Sequence, residues 1–279
     1  MRPSSVAALT AGVESEEMVT LKQIEAGLTA LGLKPGDGVL LHSSLSSVGW
    51  VERGADTVID AILETIGLQG TLMVPTFTHN TAVFDPLTTS SRTGLISETL
   101  RLRPGALRSW HPTHSVAALG AKADELTADH RKAFGIGSPI DRLASHGGYV
   151  LLLGVTCRYC SAIYVAENCA RVPYIGAVGN PIRQAAIMTP DGGKVRVVLE
   201  DQPSCGAGFG QLEPLLRERG LIADRHIGQA HCQLIGTRDL VDTAADLLRK
   251  DPGALLCHRP DCPHCPRARG IIRLVINKT

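Results

Sequence analysis

The chain has 279 residues, of which 44% are apolar, and its formal net charge is +1. This size suits one large α/β domain or two small ones, and the near-neutral charge gives no field that would favour nucleic acid or a membrane surface. No apolar run approaches the length of a membrane span, and residues 1–17 lack the pattern of a secretory signal, so we expect a loose tail there and a cytoplasmic protein.

The first part of the chain alternates segments of helical periodicity with short apolar runs. Residues 18–33 carry apolar side chains at helical spacing behind Thr20, a residue suited to cap a helix. The same criteria predict further helices over 54–66, 95–102, 138–146 and 157–170, and strands over 38–42, 70–76, 116–119 and 149–155. Strands that alternate with helices indicate an α/β fold with a central, mostly parallel sheet flanked by helices.

The pattern changes after Pro173. Two apolar segments flank the turn sequence 189–193 and predict a β-hairpin, at 182–188 and 194–199. An amphipathic helix is predicted over 209–219, then a strand over 227–235 and a helix over 240–248. We therefore predict a single domain over 18–279, with a smaller antiparallel subdomain at about 175–235.

The strand predicted at 38–42 runs into a segment of small and hydroxyl residues, Ser43 to Gly49, and a helix is predicted to begin at Gly54. Small residues allow the backbone to approach a ligand closely, and a helix start offers free N–H groups to phosphates. By itself, a serine-rich segment is more often an ordinary loop. The chain contains no glycine fingerprint of a dinucleotide site or a P-loop.

Two histidines, His111 and His114, stand before the strand predicted at 116–119. Imidazole is the side chain best suited to proton transfer near neutral pH. From the spacing alone, two surface histidines beside a strand are an equally good interpretation.

The segment His111-Pro112-Thr113-His114-Ser115-Val116-Ala117-Ala118 resembles the His-Pro-x-x-Ser-x-x-Ala segment of the aminoglycoside 3-N-acetyltransferase family, also called the antibiotic N-acetyltransferase family. Further matches follow the same order along the chain, at Leu41–Leu45, Gly54–Val58, Gly137–Leu143, Leu151–Gly154 and Val165–Glu167. The resemblance covers about residues 20–270. It implies a fold unrelated to that of the GNAT acetyltransferases. It also implies transfer of an acetyl group from acetyl-CoA to the 3-amino group of an aminoglycoside antibiotic, which confers resistance.

The resemblance implies roles for particular residues. In the family the serine-rich region contacts coenzyme A. The resemblance therefore assigns coenzyme binding to residues at or after the ends of two predicted strands: Ser43, Ser44, Ser47, Val48, Gly49, Thr76 and Phe77. Relatives carry a His-x-Ala-Glu pattern, and its histidine and glutamate are thought to deprotonate the amine together. Glu167 matches the glutamate, but Tyr164 replaces the histidine. A tyrosine with an ordinary pKa near 10 is a poor base at neutral pH.

Tyr164 leaves three hypotheses open. Another residue supplies the base, Tyr164 has an altered role, or the protein is a coenzyme A-binding homologue without the usual activity. His111 is our candidate for a replacement base, with His114, His79 and His226 as weaker candidates. The acceptor is either an aminoglycoside or the amine of a natural product that is not an antibiotic.

Polar residues near these segments are candidates for the remaining roles. Hydroxyls at Thr76, Ser115 or Ser161 are suited to donate to the oxyanion of a tetrahedral intermediate. Side chains suited to hold a cationic sugar are His79, Asp85, Glu167 and Glu213. Direct transfer in a ternary complex requires no covalent acyl-enzyme. We expect no nucleic-acid or membrane partner, and a monomer or homodimer.

Eight cysteines are many for such a protein, and without any sign of export we expect reduced thiols or a metal site rather than disulfides. Cys257, Cys262 and Cys265 have the spacing of a structural zinc knuckle. Cys157 and Cys160 form a separate Cys-x-x-Cys pair that could supply further ligands. Buried thiols without a metal are the alternative.

Overall fold

The computed structural model of the protein describes residues 18–78, 81, 83–179, 183–199 and 202–277. Within these residues helices and strands alternate along most of the chain. The helices are α1 (Leu21–Leu31), α2 (Ala55–Ile66), α3 (Leu95–Arg101), α4 (Ala123–Thr127), α5 (Pro139–Ser145), α6 (Ala162–Ala170), α7 (Glu213–Glu218), α8 (Thr237–Lys250) and α9 (Cys265–Ile276). The strands are β1 (Gly38–Ser43), β2 (Thr71–Pro75), β3 (Val83–Phe84), β4 (Leu107–Arg108), β5 (Val116–Gly120), β6 (Tyr149–Leu153), β7 (Gln184–Met188), β8 (Lys194–Val198), β9 (Ile222–Ile227) and β10 (Ala230–Gly236).

Seven of the described strands form one sheet, in the order β4-β5-β2-β1-β6-β10-β9. Its centre is parallel, because β1 pairs in parallel with β2 on one side and with β6 on the other. Antiparallel strands extend this centre in both directions, with β5 and β4 beyond β2, and β10 and β9 beyond β6. The predicted α/β class, with a sheet flanked by helices, is confirmed, and its parallel part is the centre of the sheet.

Both faces of the sheet are buried. Consecutive strand residues point to opposite faces, so Leu40 and Leu152 pack against apolar side chains of α5, α6 and α8. Val39 and Leu151 face the other way and pack against α1, α2 and α3. A strand that is covered on both sides is apolar at nearly every position, which explains the continuous apolar run that predicts β6.

Two helix starts lie where the capping residues of the sequence predict them. The Thr20 hydroxyl accepts a hydrogen bond from the N–H of Gln23, whose side-chain oxygen in turn accepts from the Thr20 N–H at 2.8 Å. Ser138 caps α5, with Pro139 in the first turn. These residues satisfy N–H groups that a helix leaves without internal partners.

The hairpin predicted after Pro173 is present as β7 and β8, which form a small separate sheet with β3. The single strand predicted over 227–235 is wrong. The chain turns through Gly228 and Gln229, so β9 and β10 are the two arms of a hairpin that belongs to the main sheet. Gly228 has a φ of +55°, which suits the first position of a two-residue hairpin loop. The antiparallel part outside the main sheet is therefore smaller than residues 175–235.

The C-terminal third contains two further departures from the prediction. The helix predicted over 209–219 divides into a 3₁₀ segment, Gly206–Leu212, and the short helix α7. Helix α9, which follows Cys265, has no counterpart among the predicted elements. None of the helices in the described ranges combines the length and apolar character needed to span a bilayer. The predicted tail 1–17 lies outside the described residues.

Candidate active site

A cavity of about 1020 Å³ opens where the parallel strands β1, β2 and β6 end. In open α/β sheets, ligands bind outside the carboxyl ends of the strands. We call this space the main cavity, and the residues that line it come from five parts of the chain: 41–46, 75 and 77, 92–97, 154–156 and 158–161 with Tyr164, and Phe209.

The serine-rich segment after β1 forms one wall of the main cavity, but only part of it faces the space. Ser43 and Ser44 line the cavity. The Ser47 hydroxyl shares its one proton between the Ser44 hydroxyl at 2.9 Å and a backbone carbonyl after β6 at 3.2 Å, so it holds the wall in place. Val48 is buried, and Val48 and Gly49 are not among the lining residues. The helix start at α2 does not line the cavity either, and its Asp56 is bonded to Arg103.

An imidazole stands at the end of β1, where the sequence interpretation assigns no role. His42 lines the main cavity, and its Nε2 lies 3.2 Å from the N–H of Ser161 and 3.1 Å from its hydroxyl oxygen. Burial lowers the pKa of His42 to about 4, so the ring is neutral. Because Nε2 accepts the hydrogen bond from the Ser161 N–H, the ring proton lies on Nδ1. The position of His42 directly before the serines is the signal that could have singled it out.

Tyr164, which replaces the family histidine, lines both the main cavity and a small void beside it. Its ring packs between Phe134 and Phe209, with centroids 4.8 and 4.7 Å away. Its hydroxyl donates to the carbonyl oxygen of Ser204 at 3.3 Å. Burial, reinforced by the nearby Glu167, raises the pKa of the Tyr164 phenol, so it remains protonated.

Glu167 is buried and lines the small void rather than the main cavity. Burial raises the pKa of Glu167 to about 8, although a hydrogen bond donated by the Tyr174 hydroxyl at 2.9 Å partly offsets this effect. The carboxyl is therefore protonated near neutral pH. This geometry does not support the prediction that Glu167 acts as an ionised base or holds a cationic sugar.

Ser115 and Thr76 are fully buried and form a polar cluster apart from the lining of the main cavity. The Ser115 hydroxyl donates to the Thr76 carbonyl at 2.9 Å, and Arg108 donates to both hydroxyl oxygens, at 3.1 and 3.2 Å. Burial lowers the pKa of Arg108 to about 10, and its guanidinium lies 4.8 Å above the Phe84 ring. The proton of Ser115 is committed to a backbone carbonyl, so the predicted catalytic role of Ser115 and coenzyme role of Thr76 are not supported. Phe77, by contrast, lines the cavity.

His111 lies in a different place from the other candidates. It lines a second cavity of about 730 Å³, together with Trp110 and His130. Its Nδ1 accepts a hydrogen bond from the N–H of His114 at 3.0 Å, which places the ring proton on Nε2. Burial, together with the neighbouring His130 and His114, holds the pKa of His111 well below its usual range. His111 therefore lacks both the position and the free lone pair of a replacement base.

The predicted sugar-binding residues that the structure describes, Asp85, Glu167 and Glu213, do not line the main cavity. Asp85 accepts hydrogen bonds from the N–H of Leu87 and the hydroxyl of Thr88, both at 2.8 Å, and so organises its own loop. Glu213 is bonded to Arg217 at 2.9 Å and to the side-chain amide of Gln233 at 2.7 Å. The remaining candidate, His79, lies outside the described residues.

The charge of the main cavity points to an anionic ligand. Among its described lining residues the charged side chains are Arg92 and Arg158, both of them exposed. Guanidinium groups bind phosphate oxygens in a bidentate manner. The sequence interpretation overlooks both arginines, because a single arginine carries no signal without its neighbours in space.

The C-terminal cysteines converge with one that the sequence interpretation does not include. The sulfur atoms of four cysteines all lie within 4.8 Å of one another: Cys205, Cys257, Cys262 and Cys265. We call these residues the cysteine cluster. The predicted second pair is not part of it, since Cys160 lines the main cavity and Cys157 is buried in the core.

Sequence comparison identifies the family. A family model described as aminoglycoside 3-N-acetyltransferase matches residues 40–249. The chain belongs to this family. Among characterised relatives, aminoglycoside N(3)-acetyltransferase IV of a Salmonella species is 34% identical over 84% of this chain and 88% of that enzyme. Aminoglycoside N(3)-acetyltransferase VII of Streptomyces paromomycinus is 40% identical, but the match covers only 57% of this chain and 64% of that enzyme.

Solved structures agree with the family assignment. The apoenzyme of aminoglycoside acetyltransferase AAC(3)-IVa has a TM-score of 0.83 at 32% identity, covering 92% of this chain and 99% of that one. A His-to-Ala variant of AAC(3)-IVa in complex with a gentamicin has a TM-score of 0.82 at 32% identity, with the same coverage of both chains. The binary complex of AAC-IIIb with coenzyme A has a TM-score of 0.74 at 29% identity, covering 84% of this chain and 97% of that one.

Proposed function

We propose that the protein transfers an acetyl group from acetyl-CoA to the 3-amino group of an aminoglycoside antibiotic and so confers resistance. Family membership carries this proposal, and the related structures with coenzyme A and with gentamicin support the two substrates. Since acetyl-CoA is a cytoplasmic metabolite, we also propose that the enzyme acts in the cytoplasm.

We propose that the main cavity receives the acetyl end of the coenzyme. Ser43 and Ser44 offer hydroxyl groups at the end of β1, and Arg92 and Arg158 stand where they can meet phosphate groups. An anionic coenzyme and a cationic sugar need opposite surroundings. The charged side chains among the described lining residues are both cationic, so this cavity suits the anionic coenzyme A better than a cationic sugar.

The reaction itself needs an uncharged amine. Its nitrogen attacks the thioester carbonyl, a tetrahedral intermediate forms, and the C–S bond breaks as the coenzyme thiolate leaves. The proton lost by the nitrogen neutralises that thiolate, so the sum is an amide and free coenzyme A. A base that takes the proton normally accelerates such a step.

We propose that Tyr164 orients the amine without deprotonating it. Its phenol donates to the Ser204 carbonyl and accepts from the backbone N–H of Gly206, so one lone pair of the phenol oxygen remains to accept a hydrogen bond from a substrate N–H. Glu167 is protonated behind it, and His42 has its Nε2 occupied by Ser161. On this proposal the enzyme uses the fraction of aminoglycoside that is already unprotonated at its 3-amino group.

The proposal is tested with purified protein, acetyl-CoA and a panel of aminoglycosides that includes gentamicin. Thiol release should depend on both substrates, and mass spectrometry of the product should place one acetyl group on the 3-nitrogen. Calorimetry measures coenzyme binding separately. Failure of both binding and turnover would refute the proposal. Coenzyme binding without turnover on any aminoglycoside would instead support a homologue that has lost the activity or uses another amine.

A further inference from the structure

The cysteine cluster brings together residues that are far apart in the sequence. Cys257, Cys262 and Cys265 precede or begin α9, whereas Cys205 caps the start of the 3₁₀ segment Gly206–Leu212. Cys257, Cys262 and Cys265 are buried, and Cys205 is partly buried. Because four thiols from two separate segments converge in one place, they are candidates for the ligands of a metal ion.

The spacing of the sulfur atoms identifies the kind of site. The Sγ atoms of Cys205 and Cys257 are 3.8 Å apart, and all four lie within 4.8 Å of one another. Zinc at the centre of a tetrahedron binds sulfur at about 2.3 Å, which separates the ligand atoms by about 3.8 Å. A disulfide would require about 2.05 Å. The observed spacing therefore fits one tetrahedral ion and no S–S bond between this pair.

Backbone groups around the cluster suit thiolate ligands. The N–H of Cys265 donates to the Cys262 sulfur at 3.4 Å, and the N–H of Ala207 donates to the Cys205 sulfur at 3.4 Å. Donors of this kind orient metal ligands from outside the coordination sphere. Arg269 donates to the Leu256 and Cys257 carbonyls at 3.1 and 2.9 Å, which fixes the segment that presents Cys257.

We propose that Cys205, Cys257, Cys262 and Cys265 bind a single structural zinc ion. Four thiolates leave no open coordination position, so the ion is structural rather than catalytic. It fastens α9 and the segment before it to the 3₁₀ segment. That segment carries Phe209 into the wall of the main cavity, and its neighbour Ser204 accepts the hydrogen bond of Tyr164. The ion therefore supports the wall against which Tyr164 is held.

The 279-residue protein, produced with zinc in the medium and dialysed, should contain about one zinc per chain by elemental analysis. Refolding with cobalt in place of zinc should give the visible bands and sulfur-to-metal charge transfer of a tetrahedral tetrathiolate site. Wild-type protein that holds neither zinc nor cobalt would overturn the proposal, as would a stoichiometric amount of iron in place of zinc.

Two variants locate the site. Cys262→Ser should lose most of the bound zinc and melt at a lower temperature, because metal binding is coupled to folding. Cys232→Ser removes another buried thiol, on β10 and outside the cluster, and should keep its zinc. Equal zinc contents in the two variants would overturn the assignment of ligands. If Cys262→Ser does not fold, the cobalt spectrum of the wild type decides.

Hydrogen exchange then tests what the ion holds. After chelation, amides of Gly206–Leu212 and of α9 should exchange faster, while those of the central strands β1 and β6 should keep their protection. If exchange is unchanged in both segments, the zinc ion does not hold the 3₁₀ segment and α9 together, and the proposed role is wrong.

Discussion

Glu167→Gln should remove a pH-dependent loss of stability. The carboxyl is buried, and its pKa is raised from 4.5 to about 8. As the pH rises above 4.5, the carboxyl of the unfolded chain ionises while the folded protein keeps its proton. The free energy of unfolding is therefore highest below pH 4.5. It decreases as the pH rises, until the carboxyl of the folded protein also ionises near pH 8. At about 1.36 kcal/mol per pH unit, the loss is on the order of 5 kcal/mol.

Glutamine has the same shape, is neutral at every pH, and can accept the hydrogen bond from Tyr174. The assay is urea-induced unfolding of both proteins at several values between about pH 5 and about pH 9. The variant should match the wild type within about 1 kcal/mol at the acid end and exceed it by several kcal/mol at the alkaline end. Other titrating groups contribute equally to both curves. Parallel curves would show that Glu167 is ionised in the folded protein and would refute the reasoning.

Three further predictions concern catalysis, coenzyme binding and a turn. Tyr164→His should raise kcat at neutral pH by about 100-fold or more, because it supplies a base at the cavity wall, and the pH–rate profile should gain an imidazole titration; Tyr164→Phe should not gain one. Arg158→Ala should raise KM for acetyl-CoA about fivefold at unchanged kcat in steady-state assays, through the loss of an exposed phosphate contact. Gly228→Ala should destabilise the protein by about 2 kcal/mol or more in urea unfolding, since its φ is +55° and an added Cβ would lie 2.3 Å from the Val48 carbonyl oxygen. The control Gly210→Ala meets no atom within 4 Å and should change stability by less than about 0.5 kcal/mol.

The parts of the fold that could be predicted are those that local signals determine. Thr20 and Ser138 cap helices through atoms only a few residues away. The apolar run that became β6 is long enough to identify a strand covered on both faces. The turn at Gly228 also has a local signal, the glycine itself. Apolar residues on both sides of it led to the prediction of one continuous strand over 227–235.

The candidate site was harder to predict because its chemistry depends on burial and direction. The sequence places His111 and Ser115 beside a strand. It does not show which cavity His111 lines, or that the Ser115 hydroxyl donates its proton to a backbone carbonyl. The roles of Arg92, Arg158 and Cys205 could not be predicted for the same reason. Their partners lie on distant segments, so only the folded chain shows what they meet.

The central strand has consequences for how the protein folds during its synthesis. β1 is made early, yet Val39 pairs with Tyr149, and Leu151 in turn pairs with Leu234 near the end of the chain. The backbone N–H and C=O groups along one edge of β1 thus stay unpaired until more than half of the polypeptide has left the ribosome. Such long-range pairings slow folding and prolong the exposure of unpaired strand edges. A fragment that ends before β6 would keep this edge permanently, so we expect it to aggregate rather than fold as an independent unit.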